Sequence, residues 1–230
     1  MASYTLNIAI DSIGVQNIQS AGQLVTIVKQ VNVPGQSLGA AALPVAWVTF
    51  TPQQTNNLTW QEQYWIYETV TQIQAGVTIQ TSSITDGPGQ DGYSYIFENG
   101  VFTLGAGDQA PGIFGVQNQQ GVNNLHFGLA QVAQLNGGST APVPINVMPV
   151  LNNELATFQP EETVSVFLQA YQNNGVVISD VTGKACTVTL KADTPVTLTF
   201  NDSTNQFVVS TPGMEDFLAV RRQLQGAQRA

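Results

Sequence analysis

The chain has 230 residues, 43% of them apolar and only 9% charged, with three lysines, three arginines and a net charge of −9. So little positive charge excludes a phosphate-contacting surface, because nucleic-acid affinity rests on clustered cations that release counterions. No membrane-spanning helix or secretory leader is legible either, since no apolar run approaches the roughly 20 residues a span requires.

Amides replace the missing charge: 26 Gln and 17 Asn are spread along the chain, singly or in short runs, rather than massed in one tract. Polar faces carried by neutral side chains are therefore expected. A single cysteine, Cys186, permits no internal disulfide, which suits a reducing cytoplasm and also export by a route that lacks a signal peptide.

From Tyr4 onward, apolar and polar residues alternate with period two, as in residues 4–10 and 186–191. This is the pattern of half-buried strands. Turn signals bound the runs at Pro34-Gly35, Asp86-Gly87-Pro88-Gly89, Asn136-Gly137-Gly138 and Asn173-Asn174-Gly175. Residues 93–102 read as a hairpin, with Asn99-Gly100 supplying the positive φ angles of a type I′ turn. Many short strands at about ten-residue spacing predict an all-β sandwich or barrel.

Residues 44–83 can be laid over 142–182 with few gaps. Trp47 to Phe50 matches Ile145 to Met148, the aromatic strand Tyr64-Trp65-Ile66-Tyr67 matches Val164-Ser165-Val166-Phe167, and Gly76-Val77 matches Gly175-Val176. The expectation is an internal duplication: one β-sandwich unit over 1–112, a related one over 113–210, and a loop around residues 106–111 between them. Residues 211–230 differ from the body. Thr211, Pro212, Glu215 and Asp216 suit a helix start, and Phe217, Leu218, Val220 and Leu224 form one apolar stripe. All three arginines, Arg221, Arg222 and Arg229, lie in this tail, which carries +1 against −10 for the rest. A cationic amphipathic tail on an acidic body predicts docking that makes a homo-oligomer.

Chemistry-bearing residues are sparse. A Ser-His-Asp or Cys-His device has to use His126, the only histidine, which sits between Leu125 and Phe127 in a strand pattern. Cys186, also in a strand, reads as a small core hydrophobe. Asp86 and Asp91 could offer oxygen to calcium, although their spacing is not that of a dedicated loop. Glu154, Glu161 and Glu162 fall between two predicted strands, where a solvated loop is the simpler reading than a glycosidase carboxylate pair. No catalytic residue, metal site or cofactor is assigned. The densest aromatic segment is Trp60, Tyr64, Trp65 and Tyr67. One strand face can enter the core and the other need not, so these four residues are the candidate ligand-binding platform, for a sugar, a lipid headgroup or a protein partner, with edge packing against the second unit as the alternative.

The order Leu43 to Phe50, Leu58 to Glu68, Gln74 to Ile79 and the hairpin Tyr95 to Phe102 resembles the RhiA-like proteins of bacteria. The resemblance implies an abundant, quorum-regulated, host-associated product without an assigned activity, and it carries no catalytic residue. The expected function is a non-enzymatic binding or self-assembling β-sandwich protein, with carbohydrate as a plausible ligand. The alternative is a membrane-active, pore-forming protein that refolds amphipathic strands such as residues 77–82.

Overall fold

A computed structural model describes residues 2–34, 42–122, 125–170, 173–179, 181 and 184–210. The tail from Thr211, with its expected helix, lies outside the described residues. Up to Leu104 the chain forms β1 (Ser3–Ala9), α1 (Ser12–Ser20), β2 (Leu24–Asn32), β3 (Leu43–Phe50), β4 (Thr55–Gln61), β5 (Tyr64–Thr69), β6 (Ser83–Ile84) and the hairpin β7 (Ser94–Glu98) with β8 (Val101–Leu104). Beyond it come β9 (Phe114–Asn118), β10 (His126–Gln131), three short pieces β11 (Gln134–Leu135), β12 (Gly138–Ser139) and β13 (Val143–Pro144), and β14 (Asn146–Pro149). The long β15 (Leu155–Gln169), β16 (Val176–Val177), β17 (Cys186–Thr189) and the hairpin β18 (Val196–Asn201) with β19 (Gln206–Val209) complete the order.

The strands make two sheets of mixed topology, an all-β, sandwich-like fold as the alternation predicts. One sheet runs β12-β11-β4-β1-β18-β19, and the other runs β6-β5-β10-β14-β3-β2-β15-β9-β7-β8 with β13, β16 and β17 attached at its sides. Leu6, Ile8, Leu58 and Leu198 of the first sheet share one core with Val25, Ile27, Ile66, Leu129 and Phe158 of the second. The Asn99-Gly100 turn has the expected positive φ angles, 52° and 78°.

The helix α1 was not expected, because Gly14 and the β-branched Ile13, Val15 and Ile18 weaken the helical signal. Its start is nevertheless written in the sequence. Asp11 caps the first turn by accepting a hydrogen bond from the Gly14 N–H at 2.7 Å, and Gly14 and Ile18 supply the buried face. A Cβ at Gly14 would come within 2.9 Å of both Asp202 Oδ1 and Phe200, so the helix lies directly against the turn of the last hairpin.

The expected boundary near residue 112 has no counterpart in the pairing. Each sheet draws strands from both sides of it, and each half closes on the other. Hairpin β7–β8 joins β9 through a parallel pairing, and hairpin β18–β19 joins β1 through another. In the same way β2 pairs with β15 (Val25 opposite Leu168) and β10 pairs with β5 (Phe127 opposite Glu68). The residues expected to link two units are bound into the β7–β8 hairpin, with the Ser94 N–H donating to Ala106 O and the Gln109 N–H to Gly92 O.

β10 runs through the middle of this exchange. A Cβ at Gly128 would stand 2.2 Å from Asn146 O and 2.8 Å from the Tyr67 ring. Neither a backbone carbonyl nor a fully buried ring can move away cheaply. Gly128→Ala should lower the unfolding free energy by about 1–3 kcal/mol or more, measured by chemical denaturation. An unchanged midpoint would mean that β10 and β14 are not packed in this register.

Candidate functional site

The aromatic strand β5 has the alternation expected of it. Tyr64 and Ile66 face the core between the sheets, whereas Trp65 and Tyr67 face the opposite side, against Val45, Ile79, Ala130, Val147 and Val177. That second side is not free. Residues 76–79 and 175–177 cross it, joined by hydrogen bonds from Gly76 N to Val177 O and from Ile79 N to Gly175 O, both 2.9 Å. The expected platform is therefore corrected: Trp60, Tyr64 and Tyr67 are 3%, 4% and 0% exposed, and Trp65 alone of the four is partly accessible. The same crossing buries Ile79, so residues 77–82 are not an unengaged amphipathic strand.

Trp60 and Tyr64 instead help to enclose a cation. Lys29 projects from β2 on the same side as Val25 and Ile27, into the core, and is 2% exposed. Its Nζ donates to Tyr64 Oη at 2.9 Å, to Gln131 Oε1 at 3.0 Å and to both carboxylate oxygens of Glu162 at 2.9 Å. The rings of Tyr64, Trp60 and Trp47 surround it, with centroids 5.0, 5.5 and 5.6 Å away, within the range where a ring face attracts a cation.

Glu162 is oriented in turn by Trp60 Nε1 and Tyr64 Oη, which each donate to it at 2.6 Å. The Gln131 side chain is fixed by donating to Gln61 O at 2.7 Å, while the Gln131 backbone carbonyl accepts from Trp47 Nε1 at 3.1 Å. At the outer edge, the Tyr4 hydroxyl donates to Glu62 and its ring stacks on Trp60 with centroids 5.7 Å apart.

A bulge makes this arrangement possible. In the β2–β15 ladder, Pro160 lies opposite Val31 and Val164 opposite Lys29, so residues 161–163 loop out against Gln30 alone. Pro160 has no N–H to give to the ladder, which favours a break in pairing at that point. The bulge sends Glu161 outward to Asn32 and Glu162 inward to Lys29. Two of the three glutamates are thus corrected from a loop between strands: Glu161 and Glu162 lie inside the single strand β15. Glu154 precedes it, accepting from the Leu151 N–H at 2.7 Å.

Burial lowers the Lys29 pKa to about 8, against the opposing attraction of Glu162. It remains an ammonium at neutral pH with all its hydrogens directed at acceptors, so it offers no lone pair for nucleophilic work. Burial first, and the nearby carboxylates second, push the Tyr4 and Tyr64 hydroxyls above the usual phenol range. The arrangement holds charge in place and does not present it. The sequence carried one signal for it, a lysine in alternation with Val25, Ile27 and Val31 on the core-facing side of β2.

His126 is half-buried at the start of β10, between Thr69 and Pro149, and burial lowers its pKa. Glu68, the nearest carboxylate along β5, lies opposite Phe127, so it alternates to the other face. Cys186 packs against the core from β17, and burial raises its thiol pKa. Asp91 accepts from the Gly112 N–H as part of a turn. Among the described residues, no three His, Cys, Asp or Glu side chains converge as metal ligands.

A cleft of about 600 Å³ lies elsewhere, between α1, the end of β15 and the β18–β19 turn. Its polar rim is Asn17, Gln23, Lys184, Asp202 and Asn205, with Ile18 beneath. No protein-family model matches the chain, and no match is found among curated proteins or solved structures.

The Lys29 centre has a pH signature. Between about pH 8, the value in the fold, and 10.5, its ordinary value, the unfolded chain holds a proton that the folded chain has released. Stability from this group therefore rises with pH across that window. The difference in unfolding free energy between the wild type and Lys29→Met should grow in favour of the wild type from pH 8 to pH 10. A difference that stays flat would contradict a buried, depressed lysine.

Proposed function

We propose that this chain is a non-enzymatic binding protein whose ligand is a neutral, hydroxyl-rich molecule of the carbohydrate class, held in the cleft beside α1. The observation that carries the reading is the chemistry of the rim: three amides, from Asn17, Gln23 and Asn205, with one ammonium and one carboxylate. Each amide offers donors and an acceptor together, matching hydroxyl groups that both give and take hydrogen bonds. A rim of this kind holds an uncharged polar ligand more readily than an anion or a purely apolar one.

Rigidity supports the same reading. Ile18 is 2% exposed beneath the rim, and Gly14 lets α1 lie against the hairpin turn that carries Asp202 and Asn205. A rim carried on an anchored backbone loses less entropy on binding than one carried on a loose segment. The titratable groups most perturbed by burial are spent on internal contacts, which favours binding over turnover. The resemblance to RhiA-like proteins adds a host-associated or exported setting to the proposal, with a host-surface glycan as the fitting target.

Calorimetric titration with neutral mono- and oligosaccharides tests it. At least one should bind, and Gln23→Ala and Asn205→Ala should each weaken it about tenfold, the loss of one or two hydrogen bonds. If no neutral saccharide binds, or if binding ignores both substitutions, the proposal is wrong.

A further inference from the structure

We propose that the C-terminal segment 211–230 of one copy of this chain covers an apolar end of a second copy, formed by Val101, Val122, Leu151 and Leu155. These four large side chains are 55%, 42%, 56% and 41% exposed. Three connections bring them together. The Gly100 N–H donates to Gln120 Oε1 at 2.8 Å, the Gly121 N–H to Asn152 Oδ1 at 2.9 Å, and Leu155 pairs with Gln117. The turn of hairpin β7–β8, the loop after β9 and the turn before β15 therefore form one surface. A clustered apolar surface of this kind marks a contact site more often than a free one.

The fold itself indicates what fits there. β1 pairs antiparallel with β4 and parallel with β18, while β9 pairs antiparallel with β15 and parallel with β7. After β1 the chain forms the amphipathic helix α1, which buries Gly14 and Ile18 and lies across that end of the sandwich. After β9 the described residues 119–122 and 125 carry no helix, and the corresponding end keeps its apolar side chains uncovered.

The segment beyond Ser210 has the composition to cover it. Phe217, Leu218, Val220 and Leu224 fall at helical spacing, and Arg221 and Arg222 accompany them. Glu98, exposed, and Glu154, half-buried, stand beside the apolar end, so charge and hydrophobicity match together. An isolated helix of about 20 residues is marginal in water and gains order when its stripe is buried.

A second copy is taken as the donor, and a tail folded back onto its own chain would instead leave the full chain a monomer. Ser210 leaves the smaller sheet beside β18, its N–H bonded to Thr197 O at 2.8 Å, whereas the receiving end is built from β8, β9 and β15 of the larger one. Reciprocal exchange of tails closes a two-fold dimer. This assembly is independent of the saccharide cleft, so either can fail without the other.

Light scattering after size exclusion reads the outcome for the full chain, a chain ended at Ser210, and the full-length double variant Leu151→Asp/Leu155→Asp. Circular dichroism and thermal unfolding confirm that the variants keep the fold. The full chain should be a dimer or larger, and both altered chains should be monomers. A monomeric full chain overturns the proposal, as does an assembly that survives truncation. Loss on truncation but not with the double variant also overturns it, since the tail would then dock elsewhere.

Discussion

A buried ammonium must be paired and fully hydrogen-bonded, or its desolvation outweighs what the surrounding core contributes. Lys29 imposes that requirement on this chain. Its acceptors come from β5 (Tyr64), β10 (Gln131) and the β15 bulge (Glu162), and its walls from β3 (Trp47) and β4 (Trp60). Six strands, counting β2, must be in register before this one charge is satisfied. They come from both sides of the chain midpoint and from both sheets, so the centre ties together what the sheet exchange has interleaved. A one-residue slip in β2 would turn Lys29 out of the core and leave Glu162 without its cation. Apolar packing alone would tolerate several registers more easily.

The same closure explains where binding can occur. Aromatic residues that look available along β4 and β5 are spent on the cation and on the two core faces. An amide-rimmed cleft lies beside α1, and exposed leucines and valines lie at the turns and loops around β8, β9 and the start of β15. Function is thereby moved from the strands to their connections, the usual division of labour on a rigid β framework.

The sequence made the strands legible because alternation reports burial on one face, as β1 shows with every second residue buried. It did not decide β5, where both faces are covered although the local pattern also allows a surface platform. One covering segment, 175–177, is far away in the chain; the other, 76–79, follows β5 closely, but no local pattern announces that it folds over it. The division at residue 112 failed for a related reason. Similar segments suggest separate units, yet similarity does not say which strand pairs with which, and here each half pairs with the other. The helix α1 could have been found from the Asp11 cap, and the bulge from Pro160 inside a strand pattern. The partners of Lys29 could not, since its separations from Gln131 and Glu162 are 102 and 133 residues.

The central claim is that Lys29 and Glu162 act as one unit. A double-mutant cycle of Lys29→Met, Glu162→Gln and the pair, followed by denaturant unfolding at pH 7, tests it most directly. Each single change should be strongly destabilising, because it strands the partner in a poorly hydrated site. The double change should cost less than the two together by at least about 2 kcal/mol, the coupling expected of contacting buried groups. Additivity to within about 0.5 kcal/mol, the behaviour of independent sites, would contradict the account.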